Sequence, residues 1–279
     1  TLVLFVVAYP LYWVIISSIS APSAVSSGKV LLHPIGFTLK GYAEVFKNDQ
    51  VMRGFLNSLI ITFCGVMVNL IVTLPTSYAL SRSNFSGKKP ITIFYLITMF
   101  FGGGLIPTYL VIQRLQMLNT IWALILPGCL SVYNMIVART FFKSNISEEL
   151  YEAAEIDGCT QARFFFQIAL PLSKAIIAIL VLYYGVGHWN SYFSALVYIS
   201  DKAKYPLQLV LRNILITNQT ALSQTATTAA ARAALQEKQQ LIDVMKYSLI
   251  IISSIPVLVM YPLVQKHFVK GVMIGSMKG

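Results

Sequence analysis

Long apolar runs alternating with shorter polar stretches set the plan of this 279-residue chain. Crossing about 30 Å of hydrocarbon takes about 20 helical residues, and six runs have that order of length. They fall at Leu2 to Ser20, Phe55 to Leu80, Ile91 to Ile112, Ile121 to Phe142, Ala175 to Ile199 and Tyr247 to Val264. Apolar stretches of this kind predict helices, because a helix satisfies its own backbone groups in lipid. Small residues from Ser18 to Ala24 follow the first run, as a signal-peptide cleavage site would. That run is longer than a signal core and no basic stretch precedes it, so it is read as a span, in a chain whose start lies upstream of Thr1. The expected fold is an all-α membrane protein of about six transmembrane helices, one domain over residues 1–279.

The polar connections differ in kind. Ser20 to Arg53 and the 46 residues from Asp201 to Lys246 are long, and Ser81 to Pro90 is short and basic. Leu105 to Thr120 holds a single charge, Arg114; residues 143–174 are polar, and a basic tail runs from Gln265 to Gly279. Alternate connections share a side, so a cytoplasmic Lys88-Lys89 loop places 143–174 and the tail in the cytoplasm as well. The charge count supports this weakly, with ten Lys and Arg inside against eleven outside, but the short loop has three bases in ten residues. Residues 201–246 are then extracytoplasmic, expected as a loop with some helix. Its Ala-rich stretch from Ser223 to Leu235 is helix-prone, and contact with a partner protein is one use for it.

Composition narrows the function. With 56% hydrophobic and 11% charged residues, and a mean hydropathy of +0.70, the chain falls well below the roughly 25% charge of soluble domains. The net charge of +11 comes from bases scattered between apolar spans rather than from a stripe, so nucleic acid is excluded as a partner and membrane lipid is implied. Cys64, Cys129 and Cys159 have no metal-knuckle spacing, and His33, His188 and His267 are far apart, so neither a metal site nor a catalytic triad can be argued. No acid lies within the spans, which argues against a proton-coupled transporter. A phosphate-binding loop ending at Gly87-Lys88 would need a glycine at the position of Arg82. This chain is therefore read as no enzyme, without a cofactor of its own.

Residues 143–174 carry the most specific local pattern. Asn145 or Ser147 is placed to cap a helix whose first turn holds Glu148 and Glu149, and Gly158 stands just past its end. Leu150, Ala153 and Ala154 recur on one predicted face, with Glu148, Glu152 and Glu155 on another. Thr160 is placed to cap a second short helix through Arg163 and Phe164 to Phe166, and Pro171 opens the next span. Small alanines allow a partner to approach closely, the glycine sets the elbow and the glutamate offers an anchor. On spacing alone, a plain helical hairpin and a docking surface remain equally open.

The spacing Glu152-Ala153-Ala154, three residues, Gly158, then Ile168 and Leu170-Pro171 resembles the signature loop of the membrane subunits of binding-protein-dependent ABC importers. Asn57-Ser58, Ala79 to Arg82, Gly102 to Tyr109, His188 to Phe193, Gln265 to Gly271 and Gly275 to Gly279 extend the likeness over nearly the whole chain. They look like the carbohydrate-uptake type 1 permeases, in the branch that includes alginate and other complex-oligosaccharide importers. Asn145-Ile146-Ser147 departs from the Ile-Pro usual before Glu-Glu-Leu, but leaves a cap in place.

The resemblance implies a bacterial inner-membrane permease of the MetI-like type I fold, importing an oligosaccharide or polysaccharide. Its partners would be a second, distinct permease subunit, two ATP-binding subunits that hold ATP and Mg, and an external solute-binding protein. The ATPase-docking set would be Glu152, Ala153, Ala154, Asp157, Gly158, Leu170 and Pro171.

Sugar recognition needs aromatic faces and amide or hydroxyl groups, tolerated in a membrane where they face a wet cavity. The fifth run supplies both in Tyr183, Tyr184, His188, Trp189, Asn190, Tyr192 and Phe193, with Asn57, Asn134 and Tyr133 as weaker candidates. The alternative for this cluster is an aromatic helix packed against neighbours, with His188 hydrogen-bonded inside the protein. Gly102 to Gly104 would form an external gate or a helix end. Other solutes, such as an amino acid or phosphate, and an ATP-independent secondary transporter are the competing cargo and class.

Overall fold

Apolar residues run from Leu2 to Ser18 without a charge and form helix α1 (Leu2–Ser18). Val3, Phe5, Val7 and Leu11 stay exposed along it, as lipid-facing side chains do. The polar connection that follows holds two short helices, α2 (Pro22–Ser26) and α3 (Lys40–Lys47). The second apolar run then lies within one 33-residue helix, α4 (Asp49–Ser81). At 1.5 Å per residue it reaches about 50 Å, more than the hydrocarbon thickness. Residues 2–221 and 229–276 are described by this computed structural model, and every regular element among them is helical.

Three of the remaining runs are broken. The third consists of α5 (Lys88–Phe100) and α6 (Leu105–Arg114), bent by 113° across the glycines Gly102 to Gly104. This places the triple glycine at a helix end. The fourth begins as α7 (Trp122–Ile125), tightens into a 3-10 turn at Leu126–Gly128, and continues as α8 (Val132–Asn145) after a 51° bend. Residues 143–174 supply α9 (Glu148–Ile156) and α10 (Gln161–Phe164), a π turn at Phe165–Ala169 and α11 (Leu170–Leu172). They turn by 80° into α12 (Lys174–Trp189).

The fifth run, expected as one helix from Ala175 to Ile199, stops at Trp189. Asn190 turns its amide back to the Val186 carbonyl at 3.0 Å, and a separate helix, α13 (Phe193–Tyr198), follows. Asn readily bonds nearby backbone in this way, which suits it to a helix end rather than an interior.

Residues 201–246 are more helical than a loop. A 3-10 turn at Lys202–Lys204 leads to α14 (Leu207–Ala221), and α15 (Ala229–Ser276) starts within the same segment. Leu207, Leu209 and Val210 are buried, so this stretch has an apolar face that needs cover. The part of the Ala-rich stretch from 223 to 228 lies outside the described residues. By length and composition α4 and Gln239–Pro262 of α15 are long and apolar enough to cross a bilayer, and counting each of the three bent pairs as one span brings the number to five. The shorter α1 completes about six.

The chain forms two compact units, 1–58 with 191–258 and 59–190 with 259–279. The first is built around Ile16, Val25, Val30 and Val244, with Trp13 edge-on to Tyr247 at 5.1 Å. The core of the second joins Tyr78, Phe142, Tyr151, Phe164, Leu180 and Tyr184.

Candidate functional site

The docking hairpin is built from local bonds. Ser147, rather than Asn145, is the cap of α9: its Oγ accepts the Leu150 N–H at 3.3 Å, while Asn145 turns its amide to Phe141 O. At the other end Gly158 sits at φ +74°, a left-handed position that costs a residue with a Cβ about 1–2 kcal/mol. The Gly158 N–H reaches Glu155 O at 3.0 Å and the Cys159 N–H reaches Ala154 O at 2.9 Å, closing the helix end in a paired C-terminal motif. Thr160 caps α10 as expected, accepting the Arg163 N–H at 3.3 Å.

Tertiary contacts decide which side of α9 faces out. Tyr151 and Ala154 turn inward, whereas Leu150 and Ala153 are exposed, so the expected grouping of Leu150, Ala153 and Ala154 on one face does not hold. The aromatic ring of Tyr151, edge-on to Phe164 at 5.3 Å, outcompetes the smaller apolar residues for the core. Glu149, Glu152, Ala153 and Ile156 form the outward face, and Asp157, Gly158 and Pro171 are also exposed. Ile156 is 87% exposed, an isolated large apolar side chain on an acidic helix. Leu170 is half-buried and Ala154 belongs to the core.

A clamp from α4 holds this helix in place. Arg82, just past the end of α4, pairs with Glu148 and stacks over the Tyr151 ring at 4.2 Å. The Ser83 N–H donates to the other carboxylate oxygen of Glu148 at 3.2 Å. Modest burial of the Glu148 carboxyl acts to raise its pKa. The Ser83 hydrogen bonds and the positive charges of Arg82 and Lys88 outweigh that effect and hold it below the usual glutamate range. Arg139 Nε donates to Leu80 O at 2.9 Å and ties α8 to the same end of α4. Sequence reasoning assigned no role to Arg82, Tyr151 or Ile156. The one available signal was Arg82 at the edge of an apolar run, and its partner lies 66 residues away.

The aromatic segment divides in the structure. Tyr184 and Trp189 are buried, at 6% and 1% exposure, while Tyr183, Tyr192 and Phe193 are exposed. His188 Nε2 lies 2.7 Å from Asn69 Oδ1. An amide oxygen only accepts, so Nε2–H is the donor. Asn69 in turn donates from Nδ2 to the carbonyls of Gly128 and Cys129, each at 2.8 Å. The Tyr184 hydroxyl lies 2.7 Å from Thr73 Oγ1 and accepts the Ser131 N–H at 3.2 Å.

These side chains satisfy backbone groups freed where the fourth span bends, between Gly128 and Ser131. In lipid such groups have no water to bond. The polar knot therefore holds a broken span in shape. Gly65 admits the imidazole: a Cβ there would stand 2.5 Å from His188 Nε2.

The weaker candidates lie elsewhere. Asn134 is buried in the first turn of α8, whose cap is Ser131, and the neighbouring Tyr133 is 56% exposed. Asn57 belongs to the first unit, with Ser191, Tyr192 and Phe193. Its Nδ2 donates to Ala203 O at 2.8 Å and to Tyr205 O at 3.1 Å.

Residues 43–274 match the family described as binding-protein-dependent transport system inner membrane component. The polygalacturonan/rhamnogalacturonan transport system permease protein YtcP of Bacillus subtilis (strain 168) is 37% identical over 270 residues, 97% of this chain and 92% of that protein. Protein LplC of the same organism is 39% identical over 270 residues, 97% of this chain and 89% of the relative. Among solved structures, a chain of a bacterial ABC transporter involved in the import of the acidic polysaccharide alginate matches with a TM-score of 0.85. That match has 28% sequence identity and covers 96% of this chain and 92% of that one.

Proposed function

The chain belongs to the family of binding-protein-dependent transport system inner membrane components, and from that premise we propose that it carries an oligosaccharide through the membrane as one permease subunit of an ATP-driven importer. The sugar is suggested by the relatives, which include a polygalacturonan/rhamnogalacturonan permease and a structure from an alginate importer. The observation that carries the coupling role is the hairpin of α9 and α10, whose outward face of Glu152, Ala153 and Ile156 has no cover within its own unit. A second permease, two ATP-binding subunits and an external solute-binding protein complete the proposed machine.

In this reading, ATP binding closes the ATPase pair and draws the docking helix with it through Glu152 and its neighbours. Arg82 passes the displacement to α4, because its guanidinium is bonded to Glu148 and stacked on Tyr151 at one end of that helix. The spans then turn from inward to outward opening, and hydrolysis resets them. The substrate path is proposed to use, in the second unit, the exposed Tyr183 together with Asn190, with His188, Tyr184, Trp189 and Asn134 shaping its wall.

The test is reconstitution with the ATPase subunits and binding protein. Glu152→Ala and Gly158→Val are each expected to lower sugar uptake at least about tenfold, roughly 1.4 kcal/mol in the barrier to transport, while membrane insertion stays unchanged. Uptake at the unaltered rate in both variants would sink the coupling role.

A further inference from the structure

The first unit holds a second polar site that docking and the polar knot do not use. A cavity of about 440 Å³ opens beside the start of α4. Asn48, Gln50, Asn213, Lys202 and Tyr205 are the polar residues among those described in its lining. Val210 and Met245, both buried, form an apolar floor. Among the described residues that line it, none is acidic.

The wall carrying Lys202 and Tyr205 is held rigidly. Asn57 Nδ2 donates to the carbonyls of Ala203 and Tyr205, at 2.8 and 3.1 Å. The Ala203 N–H donates to Asp201 Oδ1 at 2.9 Å, and the Leu207 N–H donates to the buried Ser58 Oγ at 2.8 Å. Asn48 Oδ1 accepts the Gln50 N–H at 3.0 Å and so fixes the opposite rim. A site whose groups are already ordered spends little binding energy on ordering them.

The chemistry of the lining selects among ligands. Amides in both donor and acceptor roles suit ring hydroxyls, and a phenol above an apolar floor suits the face of a sugar ring. A neutral sugar leaves Lys202 without a purpose, and a small inorganic anion leaves the phenol, the floor and most of the volume without one. With residues 143–174 cytoplasmic, this cavity faces outward, among outer segments that carry eleven Lys and Arg against five Asp and Glu. Such a surplus attracts anionic ligands toward that face.

We propose that this cavity binds a uronate, a sugar ring bearing a carboxylate, of an acidic oligosaccharide before the chain enters the membrane path. The carboxylate meets Lys202, the hydroxyls meet Asn48, Gln50 and Asn213, and the ring lies against Tyr205. The proposal rests on the importer reading above, and narrows its cargo to acidic sugars.

Saturation-transfer NMR on the reconstituted transporter, without binding protein, tests it with trigalacturonate and, as the neutral control, maltotriose. Trigalacturonate is expected to bind in preference. Lys202→Ala is expected to weaken that binding up to about fivefold, the reach of one exposed charge pair, and Lys202→Arg to retain it. Maltotriose signals are expected to be the same in all three proteins. Equal binding of both sugars, or no change on Lys202→Ala, overturns the site. If Lys202→Ala spares sugar binding and instead weakens capture of the solute-binding protein, the cavity takes a carboxylate of that protein and the proposal also fails. Sugar-stimulated ATP hydrolysis, measured in parallel with binding protein, separates the two claims. Stimulation by neutral sugars without trigalacturonate binding removes the uronate site and leaves the importer standing. If no sugar stimulates, the importer reading fails, while Lys202-dependent trigalacturonate binding would still uphold the site.

Discussion

The docking hairpin and the polar knot around His188 lie in the same unit, but they are held by bonds of different reach. In the hairpin the Ser147 and Thr160 caps close over three residues, and the turn at Gly158 closes over three to five. In the knot Asn69 meets His188 across 119 residues, Thr73 meets Tyr184 across 111 and Asn69 meets Gly128 across 59. The first region takes its shape from its own residue order, whereas the second exists only once three spans have come together. Polar residues in an apolar run therefore serve here to complete a neighbour's backbone, a use that spacing along one helix does not reveal.

Substitutions that act across the knot are expected to exceed those that act within the hairpin. Gly65→Val leaves the imidazole no room and drives it off Asn69, so about 3 kcal/mol of stability is expected to be lost. Thermal unfolding of the full chain in lipid nanodiscs checks this. Asn69→Ala uncaps the carbonyls of Gly128 and Cys129 and is expected to cost about 2 kcal/mol, with faster hydrogen exchange between 128 and 135. Ser147→Ala removes only a helix cap, and about 1 kcal/mol is expected, with exchange changes confined to α9. If Ser147→Ala proved as costly as Asn69→Ala, the contrast between local and long-range bonds would collapse.

The smallest effect is expected from the clamp between the two. Glu148 is nearly half exposed, at 44%, so Arg82→Gln is expected to cost less than about 1 kcal/mol. Its pH dependence is the sharper readout. The folded carboxyl has a lowered pKa, so the stability it contributes is present above the ordinary glutamate range. That contribution disappears as pH falls through the folded value. The stability gap between the two proteins should stay constant near neutrality and close only in acid. A gap that closed already above the ordinary glutamate range would contradict the lowered pKa.

Much of the candidate site was legible beforehand. The turn at Gly158 and the cap at Thr160 follow from residue type and spacing, and the hairpin came with its motif. Ser147 and Asn145 were equally good caps on paper, and the backbone chose Ser147. The outward face of α9 was misjudged because Tyr151 was not weighed against Leu150 and Ala153. The break after Trp189 was hidden by the continuing apolar composition from Ser191 to Ile199. Arg82 was invisible as a clamp because its partners, Glu148 and Tyr151, are far away in the chain.

By itself the sequence determined that this is a helical membrane protein with a short capped hairpin on one side, since hydrocarbon thickness, helix rise and capping chemistry act over a few residues to one span. It also carried the family likeness, because a motif is a local object. Only the tertiary structure decided where the spans bend, which face of α9 looks outward, and that Asn69, held by His188, and Tyr184 complete the backbone of a neighbouring span. Those outcomes depend on which buried polar groups find partners, and in lipid the partners come from other helices.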